Sequence, residues 1–111
     1  MLVNKLILMF VLHYIGDFIL QTRWMGENKS KLLSALSLHI LVYTATLLPF
    51  GFEFAIINGI LHFITDFITS RLSSRAYKNG NMAQFWAIIG FDQLIHTITL
   101  ILTLQYFLGF I

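Results

Sequence analysis

Four long apolar stretches constrain this chain more than any other feature of its sequence. They lie near residues 2–21, 31–50, 54–71 and 83–108, and each is close to the length of about 20 residues that an α-helix needs to cross a bilayer. A soluble bundle of such helices would need polar outer faces, which these segments lack. The sequence therefore predicts an all-α fold, a four-helix transmembrane bundle.

The composition supports a membrane environment. Hydrophobic residues make up 58% of the 111 residues and charged residues 11%, against about 45–50% and about 25% in soluble domains. The length leaves room for a single domain, residues 1–111, and we expect no cleavable signal peptide. A net charge of +2 with scattered cations argues against a nucleic-acid partner, and the absence of Cys excludes thiolate chemistry.

Basic residues set the expected orientation. Those that flank the two polar connections are Arg23, Lys29, Lys31, Arg71, Arg75 and Lys78. The short turn at residues 49–53 carries neither Lys nor Arg. By the positive-inside rule, the two basic loops face the cytoplasm and both termini lie outside. We therefore expect a multi-pass protein of the cytoplasmic (inner) membrane.

The chain also repeats a short motif. Residues 12–19 (LHYIGDFI) match residues 61–68 (LHFITDFI) at six of eight positions. Each copy lies on an odd-numbered helix, and the next helix carries one further His. This internal repeat predicts two tandem helical hairpins related by an axis along the membrane normal. A chance match of apolar helices is the alternative, but the shared His and Asp favour duplication.

Every His and every Asp of the chain falls inside a predicted span. These residues are His13, Asp17, His39, His62, Asp66, Asp92 and His96. A charged group at the bilayer centre costs about 2.5–3.5 kcal/mol on insertion scales. We therefore expect all seven side chains to face the bundle interior.

The spacing of these residues predicts two layers. On the first and third helices His precedes Asp by four residues, whereas on the fourth, which runs in the opposite direction, Asp92 precedes His96 by four. Each Asp therefore lies nearer the basic loops, with its His about 6 Å deeper on the same helical face. His39 joins the His layer. The predicted site is a ring of four His with three Asp between it and the cytoplasm.

These residue types at this spacing favour a metal site. Two His four residues apart on a helix can bind zinc, and seven candidate ligands exceed the four of a tetrahedral ion. Either two ions share the site, or one is held mainly by His while an Asp acts as base or supports a ligand. We expect zinc, with iron and manganese left open. The metal candidates are His13, Asp17, His39, His62, Asp66, Asp92 and His96, and the catalytic candidates are Asp17, Asp66 and Asp92.

Purely structural roles are the alternative for individual residues. An isolated polar residue in a membrane helix often only bonds two helices together, at about 0.6 kcal/mol, and His39, Asn58 and Gln21 fit that interpretation. Three carboxylates at matched depth fit it less well because of their insertion cost. The basic residues, Lys29 among them, are interpreted first as orientation determinants, with lipid-phosphate binding as a possible second role.

Some motifs resemble a known family. They are His-x-x-x-Asp-Phe-x-Leu-Gln at residues 13–21, His-x-x-x-Asp at 62–66 and Asp-Gln-x-x-His at 92–96, together with Lys29 and His39. Over nearly its whole length the chain resembles small bacterial and phage integral membrane proteins grouped as a domain of unknown function. The resemblance implies a four-helix membrane fold and implies no activity. The pattern is also loosely similar to membrane-bound metal-dependent hydrolases, by analogy only.

Three functional hypotheses follow. The leading one is a metal-dependent intramembrane hydrolase that acts on a lipid or another amphiphilic ester or phosphoester. The second is a proton, ion or metal transporter that uses the same residues, and the third is a non-catalytic membrane interaction protein. Membrane lipid is the expected partner, and a homo-oligomer is possible. Bound metal with turnover would favour the enzyme, and gradient-driven flux the transporter.

The orientation is directly testable because the chain has no Cys. Single Cys residues introduced at Lys29 and Lys78 should react with a membrane-impermeant maleimide only from the cytoplasmic side. A Cys at Glu53 should react only from outside. Labelling of the Glu53 position from the cytoplasm would reverse the predicted topology.

Overall fold

Five α-helices make up most of the chain in a computed structural model that describes residues 2–109. They are α1 (Leu2–Tyr14), α2 (Arg23–Asn28), α3 (Leu33–Leu47), α4 (Phe52–Lys78) and α5 (Met82–Leu108). A π-helical turn, Ile15–Ile19, extends α1, and a 3₁₀ turn, Leu48–Phe50, extends α3. Of the predicted domain 1–111, Met1, Phe110 and Ile111 lie outside the described residues.

Four helical segments are long and apolar enough to cross a membrane, which makes this a multi-pass membrane protein. They are Leu2–Ile19, Leu33–Phe50, Phe52–Lys78 and Met82–Phe107. The all-α, four-helix prediction is thus confirmed. The side of the membrane on which the termini lie, and the duplication of the two hairpins, stay predictions.

The polar connections contain more helix than the sequence suggested. Helix α4 continues to Lys78, past the predicted end of its span at Arg71. Arg, Ala and Lys have high helix propensity in water, which favours this extension. Only residues 79–81 remain as a loop, where Gly80 adopts a φ of 73°. The Asn81 side chain then accepts a hydrogen bond from the Gln84 N–H at 3.1 Å and starts α5.

The buried face of α4 changes character along the helix. It begins with Phe54 and Ala55 and then becomes polar. The buried polar residues follow in the order Asn58, His62, Asp66, Thr69, Ser70 and Ser73. The outward face stays apolar, and Ile60 and Ile64 are each about half exposed. The bundle therefore has an apolar end, where α1 begins and α5 ends, and a polar end, which carries the basic loops.

An apolar core closes the apolar end. All four membrane-spanning segments contribute to it, and its buried members are Met9, Tyr43, Leu47, Phe50, Phe54, Ala55, Leu100 and Leu104. Lipid tails are as apolar as these side chains, so close van der Waals packing rather than exclusion of water holds them together.

Close approach of α1 to α3 depends on Gly16. Its π-helical turn is marked by the Leu20 N–H, which donates to the Ile15 carbonyl at 2.8 Å. A Cβ on Gly16 would collide with Thr46 Oγ1 and lie 3.3 Å from the Tyr43 Cα. The absence of a side chain at Gly16 therefore lets α1 pack directly against the backbone of α3.

We expect Gly16→Ala to destabilise the bundle by about 1–3 kcal/mol, the usual cost of overpacking. Gly90→Ala is the matched control, because a Cβ there meets nothing within 4 Å and Ala is the better helix former. Thermal unfolding in detergent, followed by circular dichroism, measures both. Equal melting temperatures for the two variants would contradict this account of the α1–α3 contact.

Candidate metal centre

The structure brings all seven predicted His and Asp side chains together inside the bundle. Helix α1 and its π turn supply His13 and Asp17, α3 supplies His39, and the other four come from α4 and α5. None of the seven is more than 7% exposed. Every membrane-spanning segment therefore contributes to one buried cluster.

His62 lies at the centre of the imidazoles. Its ring stacks on that of His96, with the centroids 3.8 Å apart and the planes 3° from parallel. The His39 ring lies 5.2 Å away and the His13 ring 6.4 Å away. The His residues thus converge in the bundle interior.

Four ligand atoms around His62 have spacings that suit a metal ion. Asp17 Oδ1, His39 Nε2 and His62 Nε2 form a triangle with sides of 3.1, 3.3 and 3.3 Å. Asp66 Oδ2 lies 3.5 Å from His39 Nε2 and 3.7 Å from His62 Nε2. In a tetrahedral zinc site with bonds near 2.0–2.1 Å, ligand atoms are about 3.3 Å apart. The observed separations are close to that value.

The possible positions of the ring hydrogens on His39 and His62 also favour a cation between the two Nε2 atoms. At most one hydrogen can lie between His39 Nε2 and His62 Nε2, and the Nδ1 atoms of both rings have no hydrogen-bond partner among residues 2–109. If each ring carries its hydrogen on Nδ1, the lone pairs of both Nε2 atoms face the oxygens of Asp17 and Asp66. A shared cation between them would relieve that repulsion.

The same residues form two overlapping sets of three potential ligands. Asp17, His62 and His96 each offer a ligand atom within 4.8 Å of the others, as do His39, His62 and Asp66. Both sets therefore depend on His62.

Lys29 belongs to the cluster, beyond its expected role as an orientation determinant. Its Nζ donates to both carboxylate oxygens of Asp66, at 3.0 and 3.1 Å. With neutral imidazoles, the ionised Asp17, Asp66 and Asp92 together with Lys29 give the cluster a net charge of −2. A divalent cation would neutralise that charge.

His13 differs from the other predicted ligands because both of its ring nitrogens have partners. Nδ1 lies 2.8 Å from the Tyr43 hydroxyl, and Nε2 lies 3.0 Å from Gln93 Oε1. The Gln93 amide in turn donates to Asp17 at 2.8 Å and to Asp92 at 3.2 Å. His13 therefore orients the Asp17 carboxylate through Gln93 and lies beside the ligand atoms.

Sequence reasoning missed Tyr43, Gln93 and Thr69 as parts of this network. Tyr43 follows His39 by four residues and Gln93 lies within the Asp-Gln-x-x-His motif, so the same helical spacing could have indicated both. Asn58 bonds two helices together, as the structural alternative for this residue predicted. Its amide donates to Thr103 Oγ1 at 2.8 Å and links α4 to α5.

Asp92 belongs to neither potential metal group, but it contacts His96, a member of one of them. Thr69 Oγ1 donates to its Oδ1, and its Oδ2 lies 3.0 Å from His96 Nε2. These partners come from α4 and α5 and fix the carboxylate at the edge of the cluster. Asp92 therefore lies beside the candidate metal centre.

A cavity of about 150 Å³ adjoins the Asp layer on its basic-loop side. The polar residues in its wall include Asp17, Gln21, Lys29, Asp66, Asp92 and Gln93. Phe18 and Ile89 add apolar wall where the π turn of α1 faces α5. We call this space the site cavity.

Comparison with known proteins places the chain in a family without assigning it an activity. The sequence model of the family described as "Protein of unknown function (DUF3307)" matches residues 5–110. No curated protein and no solved structure matches the chain.

We expect protein purified without chelator to contain a stoichiometric divalent transition metal, measured by elemental analysis. His62→Gln should lose it, because His62 belongs to both ligand groups. His13→Gln is the matched control and should keep the metal, since both nitrogens of His13 are occupied elsewhere. Equal metal content in the two variants would contradict this ligand assignment.

Metal occupancy should also depend on pH. His and Asp ligands must be deprotonated to bind, so occupancy should fall as the pH drops and the ligands take up protons. Equilibrium dialysis against zinc over a pH series measures this loss. Occupancy that stays constant until the protein unfolds would argue against His and Asp ligands.

Proposed function

Because the chain belongs to a family of proteins of unknown function, we propose its activity from the geometry of the site. The protein is a metal-dependent intramembrane hydrolase that acts on a lipid or another amphiphilic ester or phosphoester. On the positive-inside expectation, it works at the cytoplasmic side of the cytoplasmic membrane.

The observation that carries this proposal is the one-sided access to the cluster. The site cavity adjoins Asp17, Asp66 and Asp92 from the basic end. At the other end, buried Met9 and Phe54 belong to the apolar core that fills the bundle. Such a pocket suits a hydrolase, which needs water and substrate from one side only, whereas a transporter would have to open the apolar core in a second conformation.

Asp17, His39, His62 and Asp66 would hold the metal, since both Nε2 atoms lie 3.1–3.7 Å from each other and from an oxygen of each carboxylate. A divalent metal held there would activate a water molecule and polarise a carbonyl or phosphoryl oxygen. The π turn at Asp17 matters for this arrangement, because such bulges re-aim side chains at functional sites.

Asp92 is the proposed general base. Its carboxylate lines the site cavity, and Thr69 and His96 fix its orientation. Asp92 would take the proton from the attacking water. The adjacent His96 ring would stabilise Asp92 as its carboxylate loses its negative charge. The Lys29 ammonium, also in the cavity wall, would stabilise negative charge that develops on a substrate oxygen.

The apolar part of the cavity wall supports an amphiphilic substrate. Phe18, on the π turn that extends α1, and Ile89, on α5, both line the site cavity, and Phe18 is 46% exposed. A substrate could therefore place its polar ester among the carboxylates while its chain stays in the lipid.

A proton or ion pathway is the second candidate. The hydrogen-bonded series Tyr43, His13, Gln93 and Asp17 favours it, because such relays conduct protons in membrane proteins. The series ends at Tyr43, which itself lies in the apolar core. Transport would require that core to open, and the hydrolase proposal requires no such change.

Asp92→Asn should lower the hydrolysis rate by about 10²–10⁴-fold, the usual contribution of a general base, and should leave metal content unchanged. Release of p-nitrophenol from p-nitrophenyl decanoate and from bis(p-nitrophenyl) phosphate in mixed micelles measures turnover. Glu53→Gln is the control, since it removes an exposed carboxylate at the other end of the bundle.

Metal-loaded protein that hydrolyses neither an ester nor a phosphoester would contradict the hydrolase proposal. Uptake of protons or metal ions by liposomes, abolished by His62→Gln, would then favour the transporter. Absence of both activities would favour a non-catalytic interaction protein.

A further inference from the structure

A second polar depression lies at the basic end of the bundle, outside the His and Asp cluster. We call it the basic groove and define it by its wall, which consists of Ser30, Lys31, Arg71, Ser74, Arg75 and Lys78. Its volume is about 300 Å³. The wall contains four cationic side chains and two hydroxyls but no carboxylate.

The cations of the groove repel one another without local compensation. Arg71, Arg75 and Lys78 follow one another at spacings of four and three residues on α4, which puts like charges on one face. Within residues 2–109, Glu27 pairs with Arg23 and Asp66 with Lys29, and no carboxylate forms an ion pair with a groove cation. An anion in the groove would relieve this repulsion.

Arg71 is already oriented for binding. One of its guanidinium nitrogens donates to the Phe67 carbonyl at 2.8 Å, and its guanidinium carbon lies 3.7 Å from the centre of the Phe67 ring. These contacts hold the planar group in place while other N–H donors remain. A fixed guanidinium loses less conformational freedom when it binds an oxyanion.

The donor set favours phosphate over other anions. Guanidinium groups form paired hydrogen bonds with phosphate oxygens, and the ammonium groups and Ser hydroxyls add further donors. The groove lies on the loop-side end of α4, just beyond the apolar part of the span. Lipid phosphates occupy that level of a bilayer.

The groove adjoins the site cavity through a third depression of about 510 Å³. This intermediate space shares Ser73 with the site cavity, and it shares Lys31, Ser74 and Lys78 with the basic groove. A single amphiphile could therefore occupy the groove with one group and the site cavity with another.

We propose that the basic groove binds the phosphate group of an anionic amphiphile, and that this phosphate anchors the substrate. The anchoring of a substrate rests on the proposed hydrolase, whereas phosphate binding by the groove does not. The anchored phosphate stays at the membrane surface, and the ester that is cleaved lies deeper, beside Asp92.

The test measures binding without turnover. Full-length protein in a neutral detergent is titrated with phosphatidic acid, with diacylglycerol of the same chains, and with inorganic phosphate, and bound molecules are counted by native mass spectrometry. Arg71→Gln and Arg75→Gln should each weaken phosphatidic acid binding by about tenfold or more, as expected for a charged hydrogen bond.

Arg23→Gln is the matched control. It removes one cation from the same end of the bundle, but Arg23 is fully exposed, lies outside the groove, and has its pKa raised by the hydrogen bond to Glu27. It should weaken binding by less than about fivefold, the effect of one charge near a surface. His62→Gln should leave phosphatidic acid binding intact while it removes metal.

Each outcome has a clear meaning. Preference for phosphatidic acid over diacylglycerol, lost in the groove variants only, supports a lipid phosphate site, even if no hydrolysis is found. Inorganic phosphate that binds with the same loss in Arg71→Gln, while phosphatidic acid does not bind, supports a phosphate site for a water-soluble ligand. Equal weakening by Arg23→Gln and Arg71→Gln, or no preference for phosphatidic acid, would overturn the proposal.

Discussion

The burial of three carboxylates in a membrane-spanning bundle is the constraint on which the rest of this structure depends. An ionised Asp in a low-dielectric interior is unfavourable unless cations or hydrogen-bond donors surround it. Asp66 meets this requirement through Lys29, and Asp17 through the Gln93 amide. These donors come from the connection after α2 and from α5, so the needs of the carboxylates also constrain how these parts of the chain are arranged.

The bundle accordingly has two halves, one held together by apolar packing and the other by polar contacts. Toward the chain termini, side chains such as Met9, Leu47 and Leu104 pack without polar groups between them. Toward the basic loops, buried polar residues line cavities that water can reach. On the proposed function, the polar half would carry the chemistry. The same division places the basic groove and the site cavity at one end, where a lipid headgroup could reach both.

The precise distances in the cluster depend on two local departures from a regular helix bundle. The π turn after Tyr14 changes the direction of the Asp17 side chain, and Gly16 within that turn lets α1 approach the backbone of α3. Tyr43, on the opposing surface of α3, then reaches His13. A regular helix with a larger residue at Gly16 would separate α1 from α3 and weaken the contact between Asp17 and His39.

The sequence by itself determined the four spans and the inward orientation of the seven His and Asp residues, and it predicts their two depths. It does so because the insertion cost of a charge and the rise of an α-helix act on each helix separately. Only the tertiary structure decided that His13 is held by Tyr43 and Gln93 while His39 and His62 bring their Nε2 atoms within 3.3 Å of each other. It also joined Lys29 to Asp66 and opened a cavity beside them. Spacing along one helix fixes a face and a depth, whereas the rotation and separation of neighbouring helices follow from how all their side chains pack together.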